Sequence, residues 1–80
     1  MTTVYVMRIT AEQYNDDRVF AAQEKAVVEA RKVGRQLDRC GLYEESELTP
    51  LMKTRGWCFR ATYANEGGYD SVVVMEREIE

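Results

Sequence analysis

Three arginines, Arg31, Arg35 and Arg39, recur at four-residue steps. On a helix this spacing places them in one basic stripe. Such a stripe can bind an acidic partner or the phosphate of a nucleotide. Arginines near the C-terminal end of a helix also stabilise it, because they interact with the negative end of the helix dipole and pair with nearby carboxylates. These structural roles are the commoner ones for surface arginines. The stripe is therefore an alternative ligand-binding site, and both roles stay open at this point.

Acidic residues form two further clusters: Glu44, Glu45 and Glu47, and then Glu76, Glu78 and Glu80. Charge runs of this kind usually keep a protein soluble. The alternative is a docking patch for the basic surface of a partner. The net charge of −3 opposes general binding to nucleic acid, because that affinity comes from neutralising phosphates with Lys and Arg.

Nothing in the sequence indicates catalysis. Histidine is absent, which removes the commonest general base and metal ligand. Gly67 and Gly68 fall between two strand-like segments, which favours a hairpin turn over a phosphate-binding loop. We therefore expect a protein that is not an enzyme, with no catalytic, cofactor or metal site.

The size and composition are those of a small folded domain. Eighty residues predict a single domain spanning residues 1–80. The two cysteines, Cys40 and Cys58, stand too far apart for a metal knuckle, and a secreted domain of this size would usually carry more. We therefore expect reduced thiols and a cytoplasmic protein without membrane segments, since the apolar runs are short.

Residues 16–40 have the pattern of one long helix. Apolar residues recur there at three- and four-residue steps, as Ala26, Ala30, Val33, Leu37 and Cys40. Asp16 or Asp17 is positioned to cap the start, and Gly41 follows the last periodic residue, where a left-handed conformation ends many helices.

Three segments have the pattern of strands. Residues 3–10 are rich in β-branched and aromatic residues. Residues 57–63 alternate, which places Trp57, Phe59, Ala61 and Tyr63 on one face. Residues 71–77 contain consecutive valines, and the turn-forming segment 65–68 makes a β-hairpin of the last two strands.

Two segments allow alternatives. Thr49 and Pro50 resemble a helix cap followed by proline at the first helical position, so residues 50–54 form either one helical turn or part of an irregular crossover loop. Residues 11–17 favour a turn. Residues 18–20 suit either the first turn of the helix or a very short strand.

The elements together predict an α+β fold of β-α-β-β order, with a three-stranded, or at most four-stranded, antiparallel-type sheet and one long helix on one face. The other face would then leave Val73 and Met75, or their neighbours, exposed as an interaction surface unless something packs there. So much uncovered strand surface also predicts a homodimer whose seam is formed by residues 72–75. Tyr14, Tyr43 and Tyr69, next to turns, are candidate interface anchors.

The N-terminal part of the chain resembles small uncharacterised proteins of bacteriophages and mobile elements. In those proteins a VYVV-type strand, similar to residues 4–6 here, is followed by a YSD-type turn, similar to residues 14–16. A short VF-type strand and an EKA-type helix start then follow, similar to residues 19–20 and 24–26. This chain lacks the glycine that precedes the tyrosine of the turn. The resemblance covers about the first thirty residues. It implies a phage-encoded accessory protein that binds host machinery. The similar proteins share no common activity that could be assigned to this chain.

The leading hypothesis is a non-enzymatic protein-interaction module, such as a phage inhibitor of a host complex of the CRISPR or restriction nuclease type. Its partner would present a basic surface. The candidate partner-binding residues are Tyr43, Glu44, Glu45, Glu47, Tyr69, Val73 and Met75. There are two alternatives. One is a protein that sequesters a small ligand or nucleotide through the arginine stripe, and the other is a nucleic-acid-binding regulator.

Overall fold

The computed structural model describes residues 1–11 and 14–79, without the side chains of Ala11 and Tyr14. Its elements are β1 (Thr2–Ala11), β2 (Tyr14–Phe20), α1 (Gln23–Leu37), β3 (Glu44–Glu45), α2 (Pro50–Thr54), β4 (Trp57–Asn65) and β5 (Gly68–Ile79). Within these residues, five strands form one antiparallel sheet of order β2-β1-β5-β4-β3. The α+β class is thus confirmed, whereas three or four strands were too few.

The main core lies between α1 and one face of the sheet. Ala26, Ala30 and Val33 are buried on the helix side, as the periodicity predicts. They pack against Met7 and Ile9 of β1 and against β4 and β5. The small alanines let α1 lie close to the sheet, which allows 80 residues to bury a dry core.

The start of α1 differs from the prediction. The helix begins at Gln23, after Ala22, whose side chain makes no capping hydrogen bond. Asp16 and Asp17 lie in β2 and do not cap α1, because they pair with arginines there: Asp17 with Arg8 and Asp16 with Arg18.

The end of α1 also differs. The helix ends at Leu37 and Asp38 caps it, so that Cys40 lies outside the helix and is exposed. Gly41 has the expected left-handed conformation, with φ of 70°, but within the following loop. The predicted periodicity was therefore correct for four of its five apolar positions.

β2 occupies the segment for which a turn was favoured. Residues 15–17 lie within the strand, and residues 18–20 form its end, so the strand alternative is the one observed. β2 pairs antiparallel with β1 from Tyr5 opposite Phe20 to Ala11 opposite Tyr14. Pairing with β1 determines this strand more than its own sequence, since its apolar pattern is limited to Val19 and Phe20.

α2 is the predicted helical turn. The hydroxyl of Thr49 accepts a hydrogen bond from the backbone N–H of Met52 at 3.2 Å, and Pro50 occupies the first turn. α2 packs against β4. Before it, the two residues of β3 add a short edge strand beside β4, opposite Ala61 and Thr62.

β5 lies at the centre of the sheet. It pairs with β1 on one side and with β4 on the other, so its backbone is not available to a second copy. A dimer seam at residues 72–75 would therefore have to be formed by side chains and not by strand pairing, and the homodimer stays a prediction.

A β-bulge between Trp57 and Phe59 reverses the predicted position of the tryptophan. Trp57 pairs with Met75, whereas Phe59 pairs with Val74. Because an extra residue changes the alternation, Trp57 lies on the face opposite Phe59. It therefore does not belong to the core under α1, and its side chain is half-buried on the far side of the sheet.

Cys40 and Cys58 are both free thiols, Cys40 exposed and Cys58 half-buried in β4. Burial raises the pKa of the Cys58 thiol.

Across residues 1–11 and 14–79, no helix has the length and apolar character needed to cross a bilayer.

Candidate interaction surface

The predicted arginine stripe does not form an open anion site. The guanidinium of Arg31 makes two hydrogen bonds to the carboxylate of Glu45, at 3.0 and 3.1 Å, and lies over the ring of Phe59 at 5.4 Å from its centroid. The paired guanidinium lowers the pKa of Glu45. A phosphate at Arg31 would have to displace this carboxylate. The structure therefore brings together a predicted ligand residue and a predicted partner-binding residue as an internal ion pair.

Tyr43 belongs to the same cluster and is half-buried. Its hydroxyl donates a hydrogen bond to Glu45 at 3.1 Å, and the guanidinium of Arg35 lies 5.1 Å from its ring centroid. Burial, and next the hydrogen bond to Glu45, raise the pKa of its phenol. The ring also packs against Gly34 of α1. Tyr43 thus anchors the loop to the helix, which leaves little of its side chain for a partner.

Asp38 organises the loop that carries Tyr43. Its carboxylate accepts hydrogen bonds from the backbone N–H groups of Cys40, Leu42, Tyr43 and Ala64, at 3.1 to 3.4 Å. Burial opposes ionisation of this carboxyl, but the four N–H donors outweigh it and hold the pKa of Asp38 below its usual value. Asp38 thereby joins the end of α1 to the end of β4.

We expect Asp38→Ala to speed amide hydrogen exchange at Leu42, Tyr43 and Ala64, because their N–H groups lose the acceptor that holds them. Exchange measured by NMR checks this, with Glu66→Ala in the exposed hairpin turn as the control. In the parent, protection should also fall in acid, since a carboxyl with a lowered pKa stabilises the fold at neutral pH and stops doing so as pH drops through that pKa. Unchanged protection at Leu42 and Tyr43 in Asp38→Ala would contradict the assignment.

The remaining predicted partner-binding residues do not meet at one place. Glu44 pairs with Thr62 on the helix-free side, Glu47 lies exposed between β3 and α2, and Tyr69 is 71% exposed in the hairpin. The side chain of Tyr14 falls outside the described side chains. The acidic segment 44–47 is therefore divided between two faces of the sheet.

Val73 and Met75 are buried, which corrects the expectation that they are exposed. Their exposed fractions are 7% and 4%. Arg8 and Arg60 flank Val73 across the sheet, and a guanidinium nitrogen of Arg77 lies 3.2 Å from the sulfur of Met75. The alternation of β5 was predicted correctly, but these long neighbouring side chains cover the valine and the methionine.

An apolar row nevertheless crosses the face opposite α1, which we call the helix-free face. Cross-strand pairing aligns four side chains from four strands: Val19, Val6, Met75 and Trp57. Directly paired residues point to the same face, and strands lie about 4.8 Å apart, so this apolar row is about 14 Å long. Val19 is 66% exposed, and Val6 and Trp57 are half-buried.

The neighbouring rows of the helix-free face are charged and polar. One contains Asp17, Arg8, Val73 and Arg60, and the next contains Asn15, Thr10, Ser71, Thr62 and Glu44. Arg8 holds Asp17 through two hydrogen bonds of 3.0 and 3.1 Å, which lower the pKa of Asp17. The face therefore combines an apolar row with a polar border, the anatomy of a protein interface.

A groove of about 400 Å³ separates α1 from the outer strand β2. Its floor is apolar, with Ile9, Val33 and Leu37. On its rim Arg18 donates a hydrogen bond to Glu29 at 3.3 Å. Arg18 and Glu29 compensate each other's charge, which leaves Lys32 as the remaining charged side chain of the lining.

Sequence reasoning placed Val73 and Met75 correctly on the helix-free face but missed three other residues of it, Trp57, Arg60 and Arg77. The alternation of β1 did indicate Val4 and Val6 on one face, and they do lie opposite Met7 and Ile9. The bulge hid the position of Trp57, and pairing with β2 could not be deduced because that strand was ambiguous.

Among residues 1–11 and 14–79, no group of three or more Asp, Glu or Cys side chains is arranged to hold a metal ion. The arrangement presents a surface with an apolar row, exposed at Val19 and half-buried at Val6 and Trp57, and with two arginines beside it.

The fold and this surface define a small α+β protein with one helix-covered and one helix-free sheet face. Comparison with known proteins adds no relative: no family model, no curated protein and no solved structure matches the chain.

Proposed function

We propose that this protein is a non-enzymatic interaction module that binds another protein through its helix-free face. The observation that supports this is the apolar row, which runs from the exposed Val19 to the half-buried Trp57 and has polar rows beside it. When a partner removes these partly buried apolar side chains from water, the free energy of the complex falls, and the polar rows around them complete the contact.

The proposal extends to the class of partner. The N-terminal resemblance to small bacteriophage proteins supports a host complex, such as a defence nuclease, as the first class to test. A cytoplasmic location belongs to the same proposal and is supported by the two free thiols, Cys40 and Cys58.

The test compares two substitutions of equal chemistry. Val19→Asp places a charge on the helix-free face, and Val28→Asp places one on the outer side of α1, where valine is 62% exposed. Because both sites are exposed, each change should shift stability by only about 0.5 kcal/mol. We expect immobilised parent and Val28→Asp to retain the same bacterial proteins at physiological salt, and Val19→Asp to lose them.

Quantitative mass spectrometry of the retained proteins is the readout. A protein retained equally by the parent and both variants is not bound through this face, and if every retained protein behaves so, the proposal is wrong. Light scattering at high micromolar concentration identifies one special case. A dimer of the parent and of Val28→Asp that is absent in Val19→Asp would make the partner a second copy of this chain.

A further inference from the structure

Two arginines border the apolar row on opposite sides along the strand direction. Arg60 lies on β4 opposite Val73, two residues before Met75 along β5, and Arg77 lies two residues after Met75. At about 3.4 Å per residue, their Cα atoms are separated by about 14 Å along the sheet, with the row midway between them.

Neither guanidinium has a carboxylate partner among the described residues. Arg60 donates to the hydroxyl of Ser46 at 3.1 Å, and Arg77 donates to the backbone carbonyl of Arg55 at 3.0 Å. By contrast, Arg8 and Arg31 are each held by a carboxylate through two hydrogen bonds. Hydrogen bonds to neutral acceptors leave the positive charge uncompensated, whereas a carboxylate makes a bond roughly twice as strong.

We infer that the helix-free face binds an acidic, extended protein segment in which an apolar residue lies between two carboxylates. In an extended segment, residues i, i+2 and i+4 share one side and i and i+4 are about 14 Å apart. Because the guanidinium of Arg77 lies at the sulfur of Met75, the apolar residue of the segment meets the row at the half-buried Val6 and Trp57, and its acidic neighbours approach Arg77 beside Met75 and Arg60 in the adjacent row. The inference rests on the proposed function and names the chemistry of the partner, which is acidic and not basic as the acidic clusters predicted.

The charges of the face favour a protein over a nucleic acid. A single strand carries negative charge along its whole length, and it would meet Glu44 at one end of the face and a chain whose net charge is −3. The centre of the face is apolar, and its two aromatic side chains among the described residues, Trp57 opposite Met75 and Tyr69 in the hairpin, are about 20 Å apart along the strands, which is a poor platform for stacking successive bases.

The test uses labelled synthetic probes and fluorescence anisotropy. The first probe is an extended peptide with glutamates at i and i+4 around a leucine at i+2, the second has lysines in place of the glutamates, and the third is an oligothymidylate of equal length. We expect saturable binding of the glutamate peptide, weakened by salt, and no saturable binding of the other two.

Arg60→Glu/Arg77→Glu should weaken binding of the glutamate peptide by about tenfold or more, mainly through slower association. Lys25→Glu/Lys32→Glu is the matched control, because both lysines are exposed on α1 and the charge change is the same. Arg60→Lys/Arg77→Lys keeps the charge and should bind within about threefold of the parent, which separates charge from packing should the glutamate variant unfold.

Three results would overturn the inference: no preference for the glutamate peptide over the lysine peptide, equal loss of binding in the Lys25/Lys32 control, or binding of the oligothymidylate as tightly as the peptide. The last would make the face a phosphate-binding surface. None of them overturns the proposed function by itself, because Val19→Asp measures docking on the row independently of Arg60 and Arg77.

Discussion

Gly34→Val is expected to lower the free energy of unfolding by about 2 kcal/mol, because α1 has no room for a side chain at this position. A Cβ atom there would lie 2.7 Å from Cε2 of Tyr43 and 3.3 Å from Cγ1 of the buried Val72. The tyrosine ring cannot easily move aside, since its hydroxyl is bonded to Glu45 and its face is covered by Arg35. For a domain of about 80 residues the melting temperature should fall by about 10 °C.

Urea unfolding followed by circular dichroism measures this loss, and two variants identify its cause. Lys25→Val, at an exposed site of the same helix, should cost only about 0.5 kcal/mol, which is the difference in helix propensity. In a Tyr43→Ala background, Gly34→Val should cost less than about 1 kcal/mol, because the closest neighbour is gone. An equal cost in both backgrounds would show that the contact with Tyr43 is not responsible.

The sequence predicted those elements whose patterns are strong within themselves. The three- and four-residue spacing of Ala26, Ala30 and Val33 placed them correctly on the buried side of α1. The alternation of β1 and the valines of β5 likewise indicated strands, and the turn at residues 65–68 joined β4 to β5. Each of these signals arises from a periodicity that burial imposes on neighbouring residues.

The missed elements depend on residues distant in the sequence. β2 carries two aspartates and an arginine among its seven residues, and it becomes a strand by pairing with β1, where Arg8 neutralises Asp17. β3 is only two residues long and exists as a partner of β4. Local propensity for such segments is weak, so tertiary pairing decides their conformation.

The candidate site was harder to predict than the fold, because it is assembled across the sheet. Val6, Val19, Trp57 and Met75 become neighbours only through the register of three strand pairs and one bulge. The prediction of an acidic docking patch overlooked the ion pair between Glu45 and Arg31, which lies fourteen residues earlier in the sequence. Charge clusters read along the chain therefore overstated the charge that the folded surface presents.

Tyr63 is expected to make the protein less stable in alkali, between pH 10 and pH 12. Its side chain is 1% exposed, and its hydroxyl donates a hydrogen bond to the backbone carbonyl of Thr10 at 3.1 Å. Burial, and next the charge of Asp70, raise the pKa of Tyr63 from 10.0 to about 12. The folded state thus keeps the phenol protonated where the unfolded chain ionises it.

The sign of the effect follows from this difference in pKa. The stabilisation is complete below pH 10 and is lost as pH rises to about 12, a loss of about 2–3 kcal/mol at 1.36 kcal/mol per unit. Tyr63→Phe cannot ionise, but it leaves the carbonyl of Thr10 without its donor, which costs about 1 kcal/mol at neutral pH. The parent should therefore be the more stable protein at neutral pH and the less stable one near pH 12.

Urea unfolding across this pH range should show the two stability curves crossing, while ultraviolet absorbance follows the ionisation of the tyrosines. Tyr5, Tyr43 and Cys58 also have raised pKa values, but they are present in both proteins and cancel in the comparison. Parallel curves that never approach would mean that Tyr63 ionises in the folded protein as it does in the unfolded chain. A crossing would show that the phenol of Tyr63 is buried and protonated in the folded state, as its position on the helix side of β4 requires.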